Sequence, residues 1–279
     1  MNPIIHTNEL KSLFTKENLV LIDARSGKDA MNNYAEKHIK KAIYIDLNKD
    51  LSALKDDAAN GGRHPLPSVD DFIKTLSHLG ITNASHVVVY DDKSGANAAA
   101  RFWWMLKSLG HQKVQVIDGG IQAAESAEIM MESRIARPNT KEEYQATDWN
   151  LPLIDINAVE VFAKDNQHIV IDVRESGRYN GEFEPIDLIA GHIPGSINLP
   201  FEDLLTENGL FKSKEVLREK FDLVFGTTPS KNIAVHCGSG VTACHLILAM
   251  DYAGLEIPKL YVGSWSEWSR NNKPIAKEV

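Results

Sequence analysis

Short apolar runs alternate with stretches of helical periodicity along this chain. The runs are rich in β-branched residues, as buried strands are. They are LVLID (19–23), VVVY (87–90), IVID (169–172) and IAV (233–235). Between them, apolar residues recur at helical spacing: Phe72, Leu76 and Leu79 share one face of a helix that Ser68 and Asp71 begin as a capping box. Strands alternating with helices predict an α/β fold, with a parallel sheet that has helices on both faces.

The second half of the chain repeats the pattern of the first. LVLIDAR (19–25) matches IVIDVR (169–174), and AEKHIKKAIYIDL (35–47) matches IAGHIPGSINLP (189–200). A repeat of this length predicts two domains of one fold. We place them at 1–135 and 153–279, joined by a linker at 136–152 whose polar, proline-containing sequence lacks a sustained apolar period.

A cysteine follows the last apolar run directly. In IAVHCGSGVTACH (233–245), Cys237 lies between the predicted strand and a predicted helix over VTACHLILAMDYAG (241–254). A helix N-terminus presents unpaired N–H groups and partial positive charge, and glycines let such groups converge on an anion. This setting favours a thiolate, so Cys237 is a candidate nucleophile. The alternative is a small buried residue at the end of a strand.

The repeat provides an internal comparison for this cysteine. Tyr90 matches His236, so Asp91 takes the place of Cys237, and the loop of the first half is longer and has no thiol. Packing alone gives the two loops little reason to differ. We therefore expect the second domain to be catalytic and the first to support it.

Composition narrows the classes of function. The chain has 279 residues, 43% hydrophobic and 24% charged, which is typical of two ordinary globular domains. Its formal net charge of −8, without a basic stripe, argues against nucleic acid or an anionic membrane as partner. No signal peptide or membrane span is predicted, and two cysteines do not build a disulfide framework. These features predict a cytoplasmic protein.

Several motifs together resemble one family, the two-domain rhodanese-like sulfurtransferases. IDAR and IDVR, HIPGSINLPF, VIDGG, CGSGVTAC and GSWSEW stand in the family's order, and CGSGVT resembles the loop of its mercaptopyruvate branch. The resemblance implies two tandem rhodanese-like domains and an enzyme in which Cys237 carries sulfur as a persulfide. It implies no cofactor, a small sulfur donor, and cyanide or a thiol as acceptor, such as that of a thioredoxin-like protein.

The resemblance also assigns the residues around the cysteine. The N–H groups of the loop would stabilise the anionic persulfide, and they belong to Gly238, Ser239, Gly240, Val241 and Thr242. Ser239 would relay a proton or position the donor. Arg178 would bind the donor's carboxylate through two parallel hydrogen bonds, and His64 would reach the site across the domain interface. The acidic partner of that histidine in the family falls at Asn48.

Two departures from the family point to different donors. Mercaptopyruvate enzymes carry a second arginine where this chain has Ile186, whereas thiosulfate enzymes usually place Arg or Lys in the loop where it has Gly238 and Ser239. The loop touches the reacting sulfur, so we expect 3-mercaptopyruvate as the favoured donor. Thiosulfate is the alternative, and a more distant one is a non-catalytic persulfide carrier or sensor.

Other readings of the same residues have less support. A phosphatase of the Cys-x5-Arg type needs an arginine where the loop has Ala243. Cys237 and Cys244 lack the spacing of a structural zinc site, so no metal is expected. We expect Cys244 to be buried and Arg174 to pair with Asp172 or a loop carbonyl. Trp103 and Trp104 should pack in the core, and Trp265 and Trp268 should cap and pack the last helix.

Overall fold

Each half of the chain contains a parallel sheet in this computed structural model, which describes residues 1–136, 138 and 142–278. The chain divides into two units by its internal contacts. Unit 1 comprises Met1–Ser52, Pro67–Asn150 and Glu207–Leu210, and unit 2 comprises Ala53–Leu66, Leu151–Thr206 and Phe211–Val279.

Unit 1 is built on a five-stranded sheet in the order β1-β6-β5-β2-β4, with every neighbouring pair parallel. A separate antiparallel pair joins β3 to β7. The strands are β1 Ile4–Ile5, β2 Leu19–Asp23, β3 His38–Ile39, β4 Ile43–Tyr44, β5 His86–Tyr90, β6 Val114–Ile117 and β7 Met131–Glu132. The predicted strands at 19–23 and 87–90 are therefore adjacent, and Asp23 pairs with Tyr90.

Helices lie in the connections between these strands. They are α1 Thr7–Leu13, α2 Ala30–Glu36, α3 Val69–His78, α4 Ala98–Ser108 and α5 Gly120–Ser126. The predicted cap begins α3, because Ser68 Oγ accepts the N–H of Asp71 at 3.1 Å. Trp103 and Trp104 of α4 are fully buried, as expected, and side chains from the sheet, such as Val88 and Ile117, pack with α5.

Unit 2 has a four-stranded sheet in the order β11-β10-β8-β9, again parallel throughout. The strands are β8 Ile169–Asp172, β9 Ile197–Asn198, β10 Ile233–His236 and β11 Lys259–Leu260. Asp172 pairs with His236. This register matches the Asp23 and Tyr90 pair of unit 1, so the alignment of Tyr90 with His236 holds in three dimensions.

The helices of unit 2 are α6 Ile156–Lys164, α7 Ser176–Asn180, α8 Lys214–Phe225, α9 Ala243–Tyr252 and α10 Ser264–Trp268, with short 3-10 turns at Phe201–Leu204 and Ser230–Asn232. Helix α9 begins two residues later than the sequence predicted, so Val241 and Thr242 lie in the turn before it. Nearly all residues of this helix are buried. Trp265 and Trp268 lie in α10, the last helix, and pack in the core of unit 2.

The predicted linker at 136–152 lies partly outside the described residues, which omit 137 and 139–141. Residues 142–150 belong to unit 1: Tyr144 is buried with its hydroxyl 3.0 Å from Nδ1 of His111, and the N–H of Asn150 donates to the carbonyl of Ser108. Leu151 begins the next segment of unit 2. The boundaries 1–135 and 153–279 stay predictions.

Within the described residues, no helix combines the length and the apolar character that crossing a membrane requires.

Candidate functional site

Cys237 lies directly after β10, in the turn between this strand and α9. The sequence predicted this strand-to-helix position. The residue is 3% exposed, and neither it nor Cys244 is in a disulfide. As the carboxyl ends of parallel strands meet at one edge of a sheet, Cys237 stands beside the end of β8, where Asp172 pairs with His236.

Helix α10 holds the backbone of the cysteine loop. Cys237 donates its N–H to Ser264 Oγ at 3.2 Å, and its carbonyl accepts the N–H of Trp265 at 3.0 Å. The carbonyl of Gly238 accepts the N–H of Ser266 at 2.8 Å. Gly240 has a φ of +72°, and a Cβ there would lie 2.4 Å from the Val262 carbonyl oxygen. The loop therefore needs glycine at 240 to keep its path.

Several backbone N–H groups of the cysteine loop are available to bind a ligand. Within the part of the chain that the structure describes, the N–H groups of Gly238, Ser239, Val241 and Thr242 have no protein acceptor. Ser239 and Val241 are buried. Backbone N–H groups in such a turn suit an anion, so the loop has the composition of an anion cradle.

The matching loop of unit 1 is already filled by its own carboxylate. Asp91 is fully buried, and its Oδ1 accepts the N–H groups of Lys93 at 2.9 Å and Gly95 at 2.8 Å. Its Oδ2 accepts those of Asn97 at 3.1 Å and Ala99 at 3.2 Å. Burial raises the pKa of Asp91, and the four N–H groups oppose this rise. An anion is built into the loop that lacks the thiol.

His64 contacts Ser239 of the loop. Its Nδ1 lies 2.8 Å from Ser239 Oγ. The sequence placed His64 in the first domain, but the segment 53–66 packs with unit 2, so this contact forms within one unit. The segment is joined to α10 beside the loop: Gly61 donates its N–H to Glu267, and a Cβ on Gly62 would lie 2.3 Å from the Gly263 carbonyl oxygen.

Arg178 lies beside the loop with partners of its own. Its Nε is 3.1 Å from both carboxylate oxygens of Glu184, and its Nη2 is 2.7 Å from Glu184 Oε1. The Nη2 atom is also 3.5 Å from Asp187 Oδ2. Burial would raise the pKa of Glu184, but Arg178 and two backbone N–H groups hold it below its ordinary value. The contact of Arg178 with a donor carboxylate stays a prediction.

A buried carboxylate that the sequence did not single out organises this region. The side chain of Asp187 is fully buried and contacts three arginines. Its Oδ1 accepts from Arg63 Nε at 3.0 Å and Arg270 Nη1 at 3.1 Å. Sequence reasoning missed Arg63 as well, and the one signal that could have found it is its position next to His64. The neighbouring Ile186 is 53% exposed.

Arg174 pairs as expected. Its Nη2 lies 2.6 Å from Asp172 Oδ2 and 2.7 Å from the Gly191 carbonyl oxygen, and its guanidinium stacks over the Trp265 ring. Burial would raise the pKa of Asp172, but Arg174 holds it below its ordinary value. Burial opposes the raised pKa of Arg174, whereas Asp172, Glu184 and Cys237 favour the charged form. Arg174 thus places fixed positive charge near the thiol.

Cys244 is buried in α9, as expected, and its Sγ contacts the Gly240 carbonyl oxygen at 3.4 Å. Among residues 1–136, 138 and 142–278, no three His, Cys, Asp or Glu side chains are grouped to hold a metal ion.

Comparisons with known proteins agree with the two halves seen here. The model of the Rhodanese-like domain matches residues 6–127 and again residues 157–271. The chain is 36% identical over 282 residues to a probable 3-mercaptopyruvate sulfurtransferase of Pseudomonas aeruginosa, covering 98% of this chain and 97% of that protein. It is 33% identical over 270 residues to the thiosulfate sulfurtransferase of Gallus gallus, covering 90% of this chain and 84% of that protein.

A solved structure extends the likeness to the fold. The 3-mercaptopyruvate sulfurtransferase from Leishmania major superposes with a TM-score of 0.80 at 31% identity, over 97% of this chain and 75% of that one. Two domain matches, a sequence similarity that extends over nearly the full length of the chain, and the shared fold lead to one conclusion. The chain belongs to the family of proteins built from Rhodanese-like domains, and it carries two of them.

Proposed function

We propose that this protein is a sulfurtransferase that moves a sulfane sulfur from a small donor, through a persulfide on Cys237, to a thiol or cyanide. One observation carries the proposal. Where unit 1 holds the Asp91 carboxylate with four N–H groups, unit 2 has a thiol and a loop whose N–H groups have no protein acceptor among the described residues. The charge that Asp91 supplies in one loop is supplied by the thiolate or persulfide in the other.

The proposed first half-reaction balances as follows. The Cys237 thiolate attacks the sulfur of 3-mercaptopyruvate, an S–S bond forms, and the C–S bond breaks with its electrons passing to carbon. The resulting pyruvate enolate takes up a proton, equivalent to the one on the donor's thiol, and leaves as pyruvate. Cys237 is left as an anionic persulfide, which the N–H groups of Gly238, Ser239, Gly240, Val241 and Thr242 stabilise.

Ser239 and His64 are the proposed proton relay. The 2.8 Å separation between Ser239 Oγ and His64 Nδ1 is a hydrogen-bond distance, so a proton given up by the serine hydroxyl to the enolate is replaced from the imidazole. Arg178 is the proposed partner of the donor's carboxylate. Glu184 holds its guanidinium beside the loop.

We propose 3-mercaptopyruvate as the sulfur donor. The uncharged Gly238 and Ser239 support 3-mercaptopyruvate, and so does the likeness to relatives named for it. Thiosulfate is the alternative, which the relative named for it supports. In that case the S–S bond of thiosulfate breaks and sulfite leaves. The second half-reaction then passes the outer persulfide sulfur to an acceptor thiolate and restores Cys237.

The resemblance to the family supports the proposed acceptor, and the composition of the chain supports the proposed compartment. The acceptor is a thiol, with a thioredoxin-like protein as the protein partner we favour, and the compartment is the cytoplasm, where thiols stay reduced. The net charge of −8 supports a role without nucleic acid.

Intact-mass measurement after donor treatment tests the proposal. We expect one added sulfur on the native protein, none on Cys237→Ser, and one on the control Cys244→Ser, whose thiol is also buried. A sulfur retained on Cys237→Ser would refute the assignment of the carrier. Parallel assays with 3-mercaptopyruvate and thiosulfate decide the donor, and a higher kcat/KM for thiosulfate would move the proposal to the alternative.

A further inference from the structure

Two guanidinium groups occupy the space in front of the residue that follows Cys237. A Cβ added to Gly238 would lie 3.0 Å from Arg63 Nη2 and 3.5 Å from Arg178 Nη2. The next atom, Asp187 Oδ2, would be 3.6 Å away. A side chain at 238 would therefore point into the position that Arg63 already fills from another part of unit 2.

Arg63 is held in this position from both ends. Its backbone N–H donates to Ser266 Oγ at 3.0 Å, and Ser266 in turn donates its own N–H to the Gly238 carbonyl. Its guanidinium contacts Asp187 through Nε at 3.0 Å and Nη2 at 3.4 Å. A preorganised arginine of this kind loses little entropy when it binds an anion.

The two side chains of the Arg63–Asp187 ion pair differ in their exposure to solvent. The side chain of Arg63 is 26% exposed, whereas that of Asp187 is fully buried. The Asp187 carboxylate thus contacts the Arg63 guanidinium from the protein interior, and part of the guanidinium stays accessible to solvent. The side chain of Arg178 is less exposed, at 10%, and Glu184 takes its Nε and Nη2 atoms. Arg63 is the more accessible of the two cations next to Gly238.

The charges around Asp187 do not cancel. Arg63, Arg178 and Arg270 contact Asp187, and the only other carboxylate that touches them among the described residues is Glu184. Arg174 adds a further cation on Glu184, and Asp172 balances it. These side chains carry one net positive charge next to the loop, which favours both the Cys237 thiolate and a bound anion.

We propose that Arg63 binds the anionic end of the sulfur donor together with Arg178, and so supplies from the segment 53–66 the positive charge that the loop itself lacks. The ligand chemistry is an oxyanion: the carboxylate of 3-mercaptopyruvate or the sulfonate of thiosulfate. This inference rests on the proposed function. It also explains how the site works with Ile186 in place of a second arginine.

Steady-state kinetics of Arg63→Ala and Arg63→Lys with both donors test the inference. Losing a charged hydrogen bond to the donor raises KM by about tenfold to a hundredfold, with kcat changed far less, because ground and transition states both keep the anion. Arg63→Lys restores part of the loss. A rise with 3-mercaptopyruvate alone identifies the carboxylate as the ligand, and a rise with thiosulfate alone identifies the sulfonate.

Arg270→Ala is the matched control for a merely structural role. It also removes one guanidinium from Asp187, but the three atoms nearest to a Cβ on Gly238 belong to Arg63, Arg178 and Asp187. We expect it to raise KM by less than Arg63→Ala does. An equal rise in both variants would mean that Asp187 positioning, and not anion binding, is at work, and would overturn the inference.

Two further measurements make the test specific. With the methyl ester of 3-mercaptopyruvate, which lacks the carboxylate charge, the effect of Arg63→Ala should disappear. Adding Gly238→Arg to Arg63→Ala should lower KM again, since the new guanidinium grows into the vacated position. Native protein that gains no sulfur from any donor would defeat the proposed function. Native protein that gains sulfur while Arg63→Ala keeps its KM would defeat this inference alone.

Discussion

Replacing Asp91 by Asn tests whether the first loop is an anion cradle filled by its own side chain. Each carboxylate oxygen of Asp91 accepts two backbone N–H groups. The amide of Asn offers one oxygen and one NH2 group, so two of the four N–H groups would face a donor and stay unsatisfied. Because Asp91 is fully buried, water does not replace the lost acceptor.

The expected loss in the free energy of unfolding follows from the number of N–H groups that lose their acceptor. A buried donor left unsatisfied costs about 1–3 kcal/mol, so two of them cost about 2–6 kcal/mol. Burying a neutral amide instead of a carboxylate returns part of this, as the raised pKa of Asp91 indicates. We therefore expect Asp91→Asn to lower the free energy of unfolding by about 2–4 kcal/mol, a large share of the roughly 5–15 kcal/mol typical of a domain.

Hydrogen exchange resolved to peptides is the assay, because it separates unit 1 from unit 2. Protection should fall in the loop after Asp91 and in α4, and stay unchanged around Cys237. Asp92→Asn is the matched control: it makes the same chemical change one residue on, where the Oδ1 atom has no hydrogen-bond partner among the described residues. Equal protection in native protein and Asp91→Asn, or an equal loss in Asp92→Asn, would refute the cradle.

Two further predictions concern unit 2. Gly240→Ala should abolish sulfur transfer and lower stability, because its Cβ would lie 2.4 Å from the Val262 carbonyl oxygen at a φ of +72°; near-native sulfur uptake measured by intact mass would contradict this. Glu184 has a folded-state pKa below the 4.5 of the unfolded chain, so its contribution to stability is present above that pH and is lost as pH falls through the lowered value. The unfolding free energy of Glu184→Gln, measured by denaturant titration across this range, should therefore depend less on pH than that of the native protein, and an unchanged slope would count against the Arg178 pair.

The order of strands and helices was readable from the sequence because these patterns are local. Apolar runs rich in β-branched residues located β2, β5, β8 and β10, the period of 3.6 residues located α3, and Ser68 marked where α3 begins. Matching the halves gave the equivalence of Tyr90 and His236, which the pairing of each with an aspartate confirms. The same alignment put Cys237 in its strand-to-helix turn. The family, with two Rhodanese-like domains, was also predicted correctly.

Only the tertiary structure decided which distant segments meet at the loop. Arg63 and Asp187 are 124 positions apart, and no periodicity relates such residues. The segment 53–66 packs with unit 2 because Gly61, Gly62 and Arg63 contact α10, a close approach that depends on the shape of both backbones. The sequence by itself determined where a nucleophile can sit, since a strand end and a helix start are properties of neighbouring residues. The charges that surround it depend on chain packing, which brings buried carboxylates and arginines together only after the sheet has formed.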